Sequence, residues 1–152
     1  MPVFERTHRL PFPLEEVFPF FAEPANLEQL TPTWMRFRLL EAPAAVERGS
    51  RLRYRMAPFG LPVTWVAEIS RWEPPYAFAD VQLQGPYRQW EHTHSFAESD
   101  GGTEVSDRIV YRLPGGSVGA VADRLGHRAM LSRMFDYRSK RLSGLLGARS
   151  GV

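Results

Sequence analysis

Two histidines alternate with large aromatic side chains in the segment QWEHTHSF, residues 89–96. If this segment is a β-strand, every second side chain lies on the same face. That face carries Trp90, His92, His94 and Phe96. Imidazole rings form hydrogen bonds, titrate near neutral pH, bind metal ions and transfer protons. A face that combines two such rings with tryptophan and phenylalanine is therefore a candidate binding or reaction surface.

A carboxylate further along the chain can meet these histidines. The segment SDGG, residues 99–102, is typical of a hairpin turn, and pairing Glu98 with Thr103 sets the register of the flanking strands. In this register His94 lies opposite Asp107 on the inward face. The same face of the second strand carries Val105, Asp107, Ile109 and Tyr111. Since a carboxylate in an apolar interior needs a partner, we predict an ion pair between Asp107 and His94.

Four uses of the group formed by His92, His94 and Asp107 are open. It can be a buried pair that only holds the strands in register, or the polar end of a ligand pocket. It can also supply three metal ligands or act as a general acid and base. His-x-His is common by chance and no fourth ligand is evident, so no metal ion and no other cofactor is predicted. Neither a nucleophile motif such as G-x-S-x-G nor a phosphate-binding loop occurs, so no catalytic residue is assigned.

The elements that position these residues follow from turn signals and hydrophobic periodicity. A strand at residues 3–10 precedes a helix from Leu14 and a short helix from Pro24. Six further strands are predicted at 35–41, 50–57, 62–72, 76–84, 88–97 and 103–113. A long helix at 118–146 follows. Its predicted apolar stripe includes Val121, Leu125, Leu131, Met134, Phe135, Leu142 and Leu145. This order predicts an α+β fold in which a curved antiparallel sheet of about seven strands surrounds a long C-terminal helix and encloses a cavity.

The composition is that of a single globular domain. Of the 152 residues, 43% are hydrophobic and 24% are charged, so the chain can bury a substantial core. We assign residues 1–147 to this domain and 148–152 to a flexible tail. Cysteine is absent, which excludes disulfides and thiolate zinc sites.

Charge and hydropathy limit the partners and the compartment. The formal net charge is only +2. One predicted strand alternates apolar residues with Arg51, Arg53 and Arg55. This pattern is typical of the solvent-exposed face of a strand and not of a nucleic-acid interface. The N-terminal segment lacks the apolar run of a signal peptide, and no segment is apolar enough to span a membrane. We therefore expect a cytoplasmic protein without a nucleic-acid partner, and the oligomeric state is left open.

Three longer segments resemble the START-like, helix-grip superfamily, also called SRPBCC or polyketide cyclase/dehydrase-like. They are PLEEVFPFFAEPANLEQLTP, WEPPYAFADVQLQGPYRQWEHTHSF and GGTEVSDRIVYRLPGG. The strand W-x-H-x-H-x-F is similar to that of bacterial ligand-binding members, and the resemblance covers residues 1–146. It implies a hydrophobic cavity for small aromatic or lipid-like molecules. Because the superfamily includes both carriers and cyclases, the resemblance leaves catalysis open.

The strand at 76–84 has two possible registers. If GPY forms a three-residue turn, Asp80 faces His92 and Gln82 faces Trp90. If QGPY forms the loop, Val81 and Leu83 face inward, which hydrophobicity favours. The family motif F-x-D-x-Q before GP suggests the first register, which we adopt.

The sequence therefore predicts a protein that binds a small, largely hydrophobic ligand. The ligand would stack on aromatic side chains, while His92, His94 and Asp107 orient its polar end. The loop PFGLP would form the entrance, and His127 on the long helix is expected at the surface. The predicted ligand-binding residues are Trp90, His92, His94, Asp107, Tyr111, Trp65, Tyr54, Asp80 and Gln82. Plain core packing is the alternative for Trp65 and Tyr54. For the protein as a whole, the alternatives are a cyclase or dehydratase that uses the His–Asp pair, and a protein-interaction module.

Overall fold

Seven antiparallel strands form one sheet in the computed structural model, which describes residues 2–58 and 60–149. The strands are β1 (Val3–Leu10), β2 (Arg38–Glu41), β3 (Arg51–Met56), β4 (Val63–Glu73), β5 (Ala77–Gln84), β6 (Gln89–Ser99) and β7 (Gly102–Arg112). Their spatial order is β1-β7-β6-β5-β4-β3-β2, so every neighbour except β1 and β7 is also a neighbour in sequence. The predicted α+β fold is confirmed. Only β2 begins clearly later than predicted, because Thr33–Met35 forms a turn of 3₁₀ helix.

The register of the last hairpin agrees with the sequence prediction. Glu98 pairs with Thr103 and His94 pairs with Asp107. The turn holds Asp100 and Gly101 at φ values of 46° and 78°, a left-handed conformation that asparagine, aspartate and glycine tolerate best. This register places the histidine face of β6 and the aspartate of β7 on the concave side of the sheet.

The register between β5 and β6 is the one that the family motif suggested. Asp80 pairs with His92, and Leu83 on the opposite face is 48% exposed. Phe78, two residues before Asp80, is buried on the same inward face. Hydrophobicity alone would have selected the other register, in which Leu83 is inside.

Helices pack over the concave face of the sheet. They are α1 (Leu14–Ala22), α2 (Leu27–Leu30), α3 (Ser117–Ala122) and α4 (Arg128–Arg149). A turn of π-helix, Asp123–His127, joins α3 to α4. At one end, buried side chains of α1 pack against β5, β6, β7 and the last turns of α4. This core includes Leu14, Val17, Phe18, Phe78, Phe96, Val105, Leu142 and Leu146.

The π turn changes which residues of the C-terminal helix face the sheet. Val121 and Leu125, predicted in the apolar stripe, are 53% and 82% exposed. A π turn holds one more residue than an α turn, so the segment before it is rotated relative to a continuous α-helix. Asp123 and His127 are buried in their place. Leu131, Phe135 and Leu142 are buried as predicted, while Met134 and Leu145 are partly buried against the core.

The helix also extends further than the sequence indicated. α4 ends at Arg149, whereas the sequence predicts a helix end at residue 146, and residues 150–152 lie outside the described part of the chain. No helix among the described residues is long and apolar enough to cross a membrane.

Candidate ligand-binding site

A cavity of about 320 Å³ lies between the concave face of the sheet and the C-terminal helix. Its volume falls at the lower end of the range for small-molecule sites. Most of the wall is apolar or aromatic. Members of this wall include Tyr54, Trp65, Ala67, Phe78, Tyr87, Trp90, Met130, Leu131 and Met134. Pro58 and Leu61 of the predicted entrance loop also line the cavity, and Phe59 of that loop lies outside the described residues.

Four aromatic side chains form a continuous wall. The Trp65 ring stacks on Tyr54, with ring centroids 5.8 Å apart and an interplanar angle of 16°. Trp90 meets Trp65 edge to face at 5.1 Å, and Tyr87 lies 4.6 Å from Trp90. β3, β4 and β6 carry the first three at inward positions, which their alternation predicted. Tyr87 was missed because it lies in the β5–β6 turn, where no periodicity indicates a facing direction.

A polar group, which we call the histidine cluster, consists of Asp80, His92, His94 and Asp107. His92 Nε2 lies 2.8 Å from Asp107 Oδ1 in a hydrogen bond. His94 Nδ1 is 3.1 Å from the same oxygen, an ion-pair distance without the alignment of a hydrogen bond. On its other side, His94 Nε2 is 3.6 Å from Asp80 Oδ2. The two imidazole rings stack with centroids 3.8 Å apart.

Burial and the neighbouring charges shift the pKa values of this cluster in opposite directions. Burial alone would raise the pKa of Asp107, but the two neighbouring imidazoles hold it well below its usual range. Burial and the adjacent His94 lower the pKa of His92. Burial also lowers the pKa of His94, but Asp107 and Asp80 outweigh it, so the net shift is upward. These shifts favour an ionised Asp107, a neutral His92 and a positively charged, doubly protonated His94.

The cavity wall includes six of the nine sequence-predicted site residues. These are Tyr54, Trp65, Asp80, Trp90, His92 and His94. The other three, Asp107, Tyr111 and Gln82, do not line it. The Asp107 side chain is completely buried behind the histidines. The Gln82 amide accepts from the Tyr87 backbone N–H at 3.1 Å and donates to the Tyr87 carbonyl at 2.8 Å, so it shapes the β5–β6 turn.

A second polar group, the tyrosine–histidine cluster, consists of Tyr87, Tyr111, Asp123 and His127. Tyr111 donates its hydroxyl to Asp123 Oδ1 at 2.5 Å, and His127 Nδ1 lies 2.9 Å from the same oxygen. His127 Nε2 is 2.5 Å from the Tyr87 hydroxyl. His127 is 6% exposed and lines the cavity, so the expectation of a surface histidine was wrong. The π turn, which periodicity does not indicate, carries both Asp123 and His127 inward.

The protonation states of the tyrosine–histidine cluster follow from its burial. Burial lowers the pKa of His127 in spite of Asp123, and burial raises the pKa of Tyr87. Burial would raise the pKa of Asp123, but the hydrogen bonds it accepts from Tyr111, His127 and Arg128 keep it below its usual value. A neutral His127 with its proton on Nδ1 donates a hydrogen bond to Asp123 and accepts one from the Tyr87 hydroxyl at Nε2.

Arg138 of α4 is a cavity-lining residue that the sequence reasoning missed. Its guanidinium carbon lies 5.1 Å from the centroid of the Phe135 ring. A signal for its direction was available. Position 138 is seven residues after Leu131 and four before Leu142, so it falls on the inward face of the helix.

Asp80, His92 and His94 are also the residues that could hold a metal ion. Each can offer one ligand atom, and these atoms lie within 4.8 Å of one another. Metal binding requires neutral imidazoles. An ion at this site would therefore have to displace the proton that Asp107 and Asp80 favour on His94.

The sheet, the long helix and the cavity between them define a helix-grip protein, and solved structures share this fold. TTHA0849 from Thermus thermophilus superposes with a TM-score of 0.74 at 21% identity, covering 98% of this chain and 99% of that chain. CV1439 from Chromobacterium violaceum gives 0.74 at 15% identity, covering 95% and 96%. The major latex-like protein 151 from Panax ginseng gives 0.71 at 11% identity, covering 94% and 95%.

The sequence itself matches one family over most of its length. Residues 10–134 match the family described as "Polyketide cyclase / dehydrase and lipid transport". The chain belongs to this family, which is of the SRPBCC, START-like type whose members typically bind hydrophobic ligands. No curated protein matches the chain.

Proposed function

We propose that this protein binds a small, largely apolar molecule with at least one polar group in the cavity between sheet and helix. The observation that carries the proposal is the cavity of about 320 Å³, whose wall joins aromatic rings to polar side chains. An apolar pocket with a few convergent polar groups is the usual form of a small-molecule site. Membership of a family of cavity proteins supports the same reading.

The lining residues suggest how the ligand lies. Its apolar body would pack against Trp65 and Trp90, where aromatic contacts add to the gain from burial. Its polar group would lie toward His92, His94 and Asp80. Asp107, Tyr111 and Gln82 would then act indirectly, because they hold lining residues in place without facing the cavity.

An unpaired donor in the wall supports a ligand with an oxygen acceptor. Trp65 Nε1 is buried and has no hydrogen-bond partner among the described residues. A buried N–H without a partner costs free energy, which a ligand acceptor within reach would recover.

Calorimetric titration with 2-naphthol tests this function. 2-Naphthol is a compact aromatic probe that is neutral at pH 7. We expect saturable binding to the natural protein and affinity weaker by about ten-fold or more in Ala67→Leu, because the added carbons occupy the cavity beside Trp65. Ala97→Leu, which adds the same carbons to an exposed position of β6, is the matched control and should bind normally. Absence of binding, or equal affinity in Ala67→Leu, would contradict the proposal.

A second candidate function is acid–base catalysis of a cyclisation or dehydration. The observation in its favour is that His94 lines the cavity while its carboxylate neighbours raise its pKa, which suits a general acid. Turnover of a poly-β-ketone that is lost in folded Asp107→Asn, while 2-naphthol binding persists, would favour this function over a carrier. Parallel loss of binding and turnover, or no turnover in the natural protein, would argue against it.

A further inference from the structure

Arg138 introduces a positive charge into the apolar cavity. It projects from the inward face of α4 between Phe135 and Leu142, and it lines the cavity. Its guanidinium carbon is 5.1 Å from the Phe135 ring centroid, and the His92 ring lies 5.8 Å from the same ring. The guanidinium and the histidine cluster therefore share one region of the cavity wall.

This guanidinium has no anionic partner among the described residues. Six other arginines form ion pairs with aspartate or glutamate, whereas no described carboxylate lies within 4.0 Å of Arg138 and no hydrogen bond from it reaches a described residue. The paired arginines are Arg6, Arg51, Arg53, Arg71, Arg108 and Arg128.

The nearby acids contact histidine and do not reach Arg138. Asp107 is in contact with both His92 and His94, and Asp80 lies 3.6 Å from His94. Both acids are close enough to oppose the effect of burial, which lowers the pKa of Arg138. Arginine remains protonated at neutral pH even so. The tyrosine–histidine cluster is too distant to compensate, since His127 and Arg138 are 11 positions apart, or about 16 Å along a helix.

Arg138 is partly buried, and a charge that loses hydration against an apolar wall without gaining a partner is costly. A ligand anion is the partner that would remove this cost. We propose that Arg138 binds the carboxylate of the cavity ligand, so that the ligand class is an apolar monocarboxylic acid. The planar guanidinium matches a carboxylate with two parallel hydrogen bonds. Asp80 and Asp107 would repel a second negative charge, which favours a monoanion over a phosphate dianion. This inference rests on the proposed function, because it assigns the polar end of the same ligand.

The test compares two probes of equal shape and different charge. 2-Naphthoate and 2-naphthamide differ only in the carboxylate and the neutral carboxamide. By isothermal titration calorimetry at pH 7, we expect the natural protein to prefer 2-naphthoate by about ten- to a hundred-fold, the range for a hydrogen bond between charged groups. Arg138→Gln should lose this preference and keep its affinity for 2-naphthamide.

Two further variants control for net charge and for folding. Lys140→Gln removes one positive charge from an exposed position of the same helix and should keep the full preference. Arg138→Lys keeps the charge but loses the planar fork, so an intermediate preference is expected, and it serves as the test if Arg138→Gln does not fold.

The possible failures are distinguishable. Equal affinity of the natural protein for both probes would overturn the carboxylate inference and leave the cavity function intact. A preference that persists in Arg138→Gln would overturn the role of Arg138. If the natural protein binds neither probe, the inference is overturned, and the proposed function is overturned with it if 2-naphthol does not bind either.

Discussion

Asp107 is the side chain on which the histidine cluster depends. It is completely buried, and its Oδ1 contacts both His92 and His94, which line the cavity from the other side. The ionised carboxylate fixes where the proton of the cluster resides, because it favours a charged His94 while burial keeps His92 neutral. Asp107 does not line the cavity, yet it determines which of the two lining histidines carries the positive charge.

Replacing Asp107 by asparagine should destabilise the protein. Removal of one partner from a buried ion pair typically costs about 3–5 kcal/mol, because the other charge is left without compensation. We expect this loss for Asp107→Asn in urea unfolding at pH 6. Asp136→Asn is the matched control. Its side chain is 60% exposed and pairs with Arg6, so its loss should stay within about 1 kcal/mol. Equal losses would contradict the central place given to Asp107.

The cost of Asp107→Asn should also depend on pH. The pKa of His94 is raised in the folded protein, so the folded state holds this proton more tightly than the unfolded state does. The resulting stabilisation is fully present below the ordinary histidine pKa of 6.5 and is lost as the pH rises through the raised value. Urea unfolding at pH 6 and pH 9 should show a smaller difference between the natural protein and Asp107→Asn at pH 9. A difference that does not change with pH would contradict this assignment.

At the scale of elements, two irregular segments supply three of the four residues of the tyrosine–histidine cluster, and β7 supplies Tyr111. The β5–β6 turn supplies Tyr87, which is held by the Gln82 amide, and Gly85 packs so closely on that amide that a Cβ would lie 2.4 Å from Gln82 Oε1. The π turn supplies Asp123 and His127. The hydrogen bond between Tyr87 and His127 joins the sheet to the helix at this end of the cavity.

Tyr87→Phe tests that connection. Loss of the hydroxyl leaves His127 Nε2 buried without its partner, so we expect a destabilisation of about 1–3 kcal/mol. Tyr76→Phe makes the same change at a side chain that is 63% exposed, where about 0.5 kcal/mol or less is expected. Thermal and urea unfolding of both variants give the comparison. A Tyr87→Phe variant as stable as Tyr76→Phe would show that the hydrogen bond does not join the two elements.

Regular elements were predictable from the sequence, and irregular ones were not. Alternation and the SDGG turn were sufficient for the pairing of His94 with Asp107, because a hairpin register depends on local signals. The helical stripe failed at Val121 and Leu125, because the π turn contains Leu125 and changes the phase of the residues before it, including Val121. Tyr87 was missed because it lies in a turn without periodicity, and its hydroxyl partner His127 is 40 positions away.

At the scale of the whole molecule, the fold encloses a cavity between the sheet and the C-terminal helix. At one end, α1 and the last turns of α4 form a core of buried side chains, whereas β3, β4, β6 and the start of α4 line a cavity. Such a space forfeits packing contacts that the surrounding side chains would otherwise make. A ligand that restores these contacts should stabilise the folded protein.

Saturating 2-naphthol should therefore raise the unfolding temperature. A ligand present at a hundred times its Kd stabilises the folded state by about 2.7 kcal/mol. For a domain of this size, that corresponds to a shift of several degrees. Ala97→Leu should show the same shift and Ala67→Leu a smaller one, as measured by calorimetric melting. An equal shift in Ala67→Leu would place the bound molecule elsewhere.

A crystal structure of the protein soaked with 2-naphthol tests the central claim most directly. We expect the naphthalene ring in the cavity, in contact with Trp65 and Trp90, with its hydroxyl toward the histidine cluster. Density for the probe only at the surface, or a cavity filled by rearranged side chains, would contradict the claim that this protein is a receptor for small apolar molecules.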